Sequence, residues 1–96
     1  MTPIATDPAP AAIGPYAQAI LVDDWIFTSG QLPLTLSGEM AAGIEAQAEQ
    51  VFDNLTAVLR EAGTSLDHVV KATVFVTDLG DFAKLNATYA KRFGAH

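Results

Sequence analysis

The sequence predicts an α+β domain, an antiparallel-rich sheet with two helices laid on one face. Three observations carry this. Two short apolar runs lie two residues apart near the start. A long stretch with the period of an amphipathic helix follows them. An alternating strand-type run and a second helical pattern then complete the order β-β-α-β-α, in which strands and helices are segregated as in α+β folds.

Taken in order, the arm MTPIATDPAPAAIG is rich in Pro and Ala and is expected to lead into the first strand. YAQAILV (residues 16–22) and WIFTSGQ (residues 25–31) flank Asp23-Asp24 and read as a β-hairpin with a two-residue connection. Asp-Asp is not the favoured Asn-Gly or Asp-Gly pair for such a turn. LPLTLSGEMAAG is a loop punctuated by Pro33, Gly38 and Gly43. From residue 44 to 62 the apolar period becomes helical, with Ala48, Phe52, Leu55, Leu59 and Ala62 on one face. Gly63 stands where a glycine C-cap belongs. VVKATVFVT (residues 69–77) alternates, with Val70, Ala72, Val74 and Val76 on one face and Lys71, Thr73, Phe75 and Thr77 on the other, which predicts a strand. Asp81 is placed to open a second helix that carries Phe82, Leu85, Tyr89 and Phe93 in register. Lys91 and Arg92 sit in its last turn, where cations suit the helix dipole.

Ninety-six residues, half of them apolar, make one small domain, residues 1–96. No apolar run approaches the roughly 18 residues of a membrane span, and the N-terminus lacks the basic start and apolar segment of a secretory signal. There is no cysteine, hence no disulfide, thiolate metal site or cysteine nucleophile. A cytoplasmic protein without membrane association is expected. The net charge of −6 and the scatter of five basic residues against eleven acidic ones argue against nucleic-acid binding, which relies on Lys and Arg to neutralise phosphate. His68 and His96, with no cysteine or carboxylate cluster beside them, make no metal site, so metal catalysis is not expected.

Function is posed most sharply by WIFTSGQLPL. A strand-type run ends on a hydroxyl, a glycine and an amide, Ser29-Gly30-Gln31. Taken alone, these residues fit either a plain turn or a strand end that holds something small and polar.

Four stretches resemble, in order and spacing, the RidA (YjgF/YER057c/UK114) family of enamine/imine deaminases. They are IGPYAQA (residues 13–19), FTSGQLPL (residues 27–34), VVKATVFVTDL (residues 69–79) and DFAKLNATYAKRF (residues 81–93). The helix AEQVFDNLTAVLREAG follows the family pattern as well. The resemblance implies a chorismate-mutase-like subunit, a homotrimer with sites in the clefts between subunits, and no metal or organic cofactor. It also implies hydrolysis of 2-iminobutanoate and 2-iminopropanoate to the 2-keto acid and ammonia. An imine carbon is already electrophilic, so water attacks it once the substrate is positioned and a proton is managed, and positioning with preorganised hydrogen bonds supplies much of that.

Residue by residue, the resemblance assigns Tyr16, Ser29 and Asn86 to catalysis and Gly30 and Gln31 to substrate binding. On their own terms Tyr16 fits a packed tyrosine with its hydroxyl in solvent equally well, Gln31 a structural amide, and Asn86 an exposed helix residue. Lys71 and Asp78 match pattern positions read as structural. The departure is at the end: the family's carboxylate-binding arginine and water-activating glutamate lie beyond the second helix, and this sequence closes at Gly94-Ala95-His96. Arg60 and Arg92 read as ordinary helix-surface residues and match neither position. The expectation is therefore a chain truncated relative to the family, without its final strands. A non-catalytic small-ligand-binding or regulatory trimer is the alternative reading. A ribonuclease role, also attached to the family, is disfavoured by the acidic charge.

Overall fold

The two apolar runs pair because Asp23 accepts a left-handed backbone, with φ 51°, a conformation that asparagine and aspartate tolerate better than other L-residues. In the computed structural model, which describes residues 1–12, 14 and 16–94, strand β2 (Ala19–Val22) runs antiparallel to β3 (Trp25–Thr28) with Val22 opposite Trp25. Ile13, Pro15, Ala95 and His96 lie outside the described residues. The strands are shorter than the runs that predict them. Residues 16–18 and 29–31 are left as irregular segments at the open end of the hairpin.

The N-terminal arm, expected to lead into the first strand, contains a strand of its own. Its start forms a strand, β1 (Thr2–Ile4), antiparallel to β2, giving the sheet order β1-β2-β3. Pro3 hid it in the sequence, yet proline is tolerated on an edge strand because its missing N–H need not serve a ladder.

Helix α1 (Ile44–Glu61) covers one face of the sheet. Val58, fully buried, packs with Ala9 and Ala19, and Ile4, Ile26 and Ala57 close round them. The helix ends one residue earlier than predicted, in a motif that uses Gly63 as expected. With φ 87° at Gly63, its N–H donates to Arg60 and the Thr64 N–H to Leu59, which satisfies two of the last carbonyls. The buried stripe is wider than the predicted face. Asn54 and Val58 are buried with Ala48, Phe52 and Leu59, while Leu55 and Ala62 are only half-buried.

Helix α2 (Phe82–Phe93) docks on α1 through aromatic edges, with Phe52 meeting Tyr89 and Phe93 at centroid distances of 6.0 and 5.4 Å. Both contacts are near perpendicular, the favoured edge-to-face arrangement. Asp81 is the N-cap residue, but its side chain caps nothing. Asp78 instead accepts from the Gly80 N–H at 2.8 Å in the short 3₁₀ turn Leu79–Asp81. Phe82, expected on the packed face, is largely exposed.

The predicted strand over residues 69–77 is not formed. Among the described residues nothing pairs with it, and the chain runs irregularly from the 3₁₀ turn Leu66–His68 to Leu79. Val70 and Phe75 are 78% and 91% exposed. An alternating pattern specifies which side chains a strand would bury, but the strand itself needs a neighbour to bond its backbone. In this three-stranded sheet none is beside it. The fold class stands: an antiparallel sheet and two helices in an α+β arrangement.

Candidate functional site

An antiparallel hairpin places the entry of its first strand beside the exit of its second, so residues 16–18 meet residues 29–31. The Ser29 N–H donates to the Gln18 carbonyl at 2.9 Å, extending the ladder by one bond. The Ser29 hydroxyl donates to the Ala17 carbonyl at 2.5 Å. Beyond these bonds the segments diverge and leave an open recess of about 40 Å³, room for about three water-sized groups at roughly 10–15 Å³ each.

One wall of the recess is the arm at residues 10–12, and the other is Gly30, Gln31, Leu32 and Leu34; Tyr16 and Gln18 complete the lining. Each wall is tied down by a buried amide. Gln18, 4% exposed, accepts from the Thr6 N–H at 2.6 Å and donates to the Pro10 carbonyl at 2.7 Å, with longer bonds to those of Thr6 and Ala9. Asn54, 2% exposed on α1, donates to the carbonyls of Leu32 and Leu34. Such fully used amides are rigid supports, since each bond lost would leave a buried carbonyl or N–H unpaired.

Of the residues expected at a site, Tyr16, Gly30 and Gln31 line this recess, while Ser29, next to Gly30 in the chain, is not among the lining residues. Tyr16 is about half exposed. The Ser29 hydroxyl spends its proton on Ala17, so it offers a ligand only acceptor lone pairs. Gln31 makes a long bond, 3.3 Å, from its amide to the Ser29 carbonyl. Gly30 has open space where a Cβ would stand, with no protein atom within 4 Å beyond its chain neighbours. Asn86 does not join them. It is exposed on α2 and lies outside the recess lining.

Among the described residues no charged side chain lines the recess. Its polar side chains are the Tyr16 phenol, the Gln31 amide and the Gln18 amide that is already engaged with the arm. Arg60 is exposed on α1 as expected. Arg92 corrects its reading as an ordinary surface residue. Its guanidinium reaches back to α1, 3.0 Å from the Asp53 carboxylate, with bonds to the Glu49 carbonyl and the Thr56 hydroxyl and a position 5.6 Å from the Phe52 ring centroid. Among the described residues no group of three His, Asp or Glu side chains is placed to hold a metal ion, and no helix is long and apolar enough to cross a membrane.

Gln18 and Asn54 were not legible as site residues. Gln18 lies within the run YAQAILV and Asn54 within the helical stretch, and neither stands out by motif or spacing. The available signal was at Asn54, since asparagine is a poor choice within a helix unless its side chain has a separate task.

Comparison with known proteins covers nearly the whole chain. The model of a family described as endoribonuclease L-PSP matches residues 6–96. Over 94 residues the chain is 50% identical to the 2-iminobutanoate/2-iminopropanoate deaminase of Escherichia coli strain K12, covering 97% of this chain and 73% of that protein. The crystal structure of RidA from an Antarctic Psychrobacter superposes with a TM-score of 0.95 at 45% identity, over 99% of this chain and 78% of that one. TdcF of E. coli, solved with bound serine, gives 0.94 at 41% identity, over 100% and 76%. This chain thus spans about three quarters of the length of the relatives it matches.

Proposed function

Because the chain belongs to the RidA family, whose model is described as endoribonuclease L-PSP, we propose that it is a subunit of a cofactor-independent 2-iminobutanoate/2-iminopropanoate deaminase. The observation that carries this reading is the convergence of Tyr16, Gly30 and Gln31 on one small recess, with Ser29 the chain neighbour of Gly30. It is supported by the deaminase name of a relative identical at half of the aligned positions.

In this reading a short 2-imino acid enters the recess and a water adds to its imine carbon. The resulting amino alcohol loses ammonia and leaves a carbonyl oxygen in place of nitrogen, so that imino acid plus water gives 2-keto acid plus ammonia. The Tyr16 phenol donates to the substrate or steadies the water, and the Ser29 lone pairs accept from the N–H or the water. Gly30 lets the ligand approach the backbone, and the Gln31 amide borders the bound acid. Holding the reacting atoms in place converts an encounter into a positioned step, the main contribution such neutral groups make.

The subunit is proposed to act as a cytoplasmic homotrimer with sites in the clefts between subunits, where Asn86 of one chain would meet Tyr16 of its neighbour. The sheet supports a self-association surface. Ala19 and Ile26 point to α1, so the alternate residues Ile20, Val22, Trp25 and Phe27 form the opposite face, with Trp25 57% and Phe27 62% exposed. An apolar sheet face of this kind marks a protein interface. Neither nucleic acid nor membrane is a partner in this reading.

The test is ammonia release from 2-iminobutanoate generated in situ by a threonine dehydratase. Acceleration that Tyr16→Phe reduces is expected; no acceleration above the spontaneous rate would sink the deaminase reading. A non-catalytic ligand-binding trimer is the second reading, favoured by the lack of a charged side chain among the described residues that line the recess. Calorimetric binding of 2-oxobutanoate without turnover would establish it.

A further inference from the structure

We propose that Asn54 is a positioning residue of the recess, oriented by Gln50, and that these two amides set the shape of the wall carrying Gly30 and Gln31. The inference rests on reading the recess as the imino-acid site. Asn54 lies deep within α1, where its helix propensity is poor, and its buried side chain does nothing for the helix backbone. Its Nδ2 donates to the Leu32 carbonyl at 3.1 Å and the Leu34 carbonyl at 3.0 Å, across some twenty residues of chain. Its Oδ1 accepts from Gln50 Nε2 at 3.0 Å, one helical turn earlier. That bond decides which end of the amide faces the loop, because an amide turned over would aim an acceptor at two carbonyls.

The loop answers this arrangement. Pro33 fixes its own φ, and the Leu34 N–H closes on the Leu32 carbonyl at 2.8 Å to make a three-residue γ-turn. The Leu32 carbonyl therefore takes two donors and the Leu34 carbonyl one. The segment cannot rotate without breaking three bonds in a half-buried place. Gly30 and Gln31 immediately precede the turn, so their direction into the recess follows from it. The relay runs from Gln50 to Asn54, then to the two carbonyls, then to the wall.

Gln50→Glu removes the donor to Asn54, and Gln50→Lys keeps one. Asn54→Asp places an acceptor against the two carbonyls, and Arg60→Ala, exposed and outside the relay, is the control. Each is measured for melting temperature and for kcat and KM on 2-iminobutanoate. We expect KM to rise roughly tenfold in Gln50→Glu, as for a small misplacement of binding groups, with wild-type KM in Gln50→Lys and Arg60→Ala. A lowered melting temperature with wild-type KM in both Gln50→Glu and Asn54→Asp would make the relay purely structural and overturn the inference. If the wild-type chain shows no turnover, the deaminase reading fails instead. The relay is then decided by amide NMR of Gln50→Glu, where moved Gln31 and Leu34 resonances uphold it and unmoved ones overturn it.

Discussion

At Ser29 one hydroxyl has two claims on it. Its place at the end of β3 beside Gly30 invites a ligand, but its proton is committed to the Ala17 carbonyl across the mouth of the hairpin. The pattern WIFTSGQ thus encodes a closure first, and the recess exists because that closure holds residues 16–18 against 29–31. Ser29→Ala should therefore cost about 1 kcal/mol of stability, the usual worth of a neutral hydrogen bond, read as a lower urea midpoint at constant slope. An unchanged midpoint would mean the hydroxyl contributes nothing to closure and is available to a ligand. At this scale the sequence was legible in a short contiguous motif, whose Gly30 and Gln31 line one recess together with Tyr16. It was opaque at Gln18 and Asn54, whose backbone-carbonyl partners lie 8 to 22 residues away and cannot be read from spacing.

Elements were legible in proportion to how far each is stabilised by its own residues. α1 announces itself through an 18-residue apolar period and a glycine stop, and α2 through a shorter version of the same signal. β1 was missed because three residues around a proline carry no period, and residues 69–77 were misjudged because a strand is a property of two segments. The junction of the helices depends on Arg92, which crosses from the last turn of α2 to Asp53, Glu49 and the Phe52 face. Its side chain is 18% exposed, less screened than a surface pair. Arg92→Met keeps the stem and removes the guanidinium, so stability should fall by about 1–2 kcal/mol from the lost ion pair and cation–π contact together. The deficit should shrink when both proteins are compared in 1 M salt, where the Debye length is about 3 Å. Equal stabilities at low salt would show that aromatic packing alone joins the helices.

The whole molecule poses a different problem, because the residues matched to catalysis are divided between two places. Tyr16 lines the recess beside the sheet, and Asn86 is exposed on α2 outside it. The recess lining of one chain includes Tyr16 and not Asn86, and a cyclic trimer can join the two, since each heterologous interface joins one surface of a subunit to a different surface of the next. The uncovered face carrying Trp25 and Phe27 gives such an assembly apolar area to bury. If each site borrows Tyr16 from one chain and Asn86 from its neighbour, Tyr16→Phe and Asn86→Ala should each be impaired as pure trimers. Co-expressed in equal amounts, they should recover activity. In a randomly mixed ring a site is intact when its Tyr16 side comes from the Asn86→Ala chain and its Asn86 side from the Tyr16→Phe chain, a chance of about one in four. Ammonia release at about a quarter of the wild-type rate is thus the expected result. Activity no greater than the mean of the two pure variants would place both residues' effects within single chains and remove the case for a shared site.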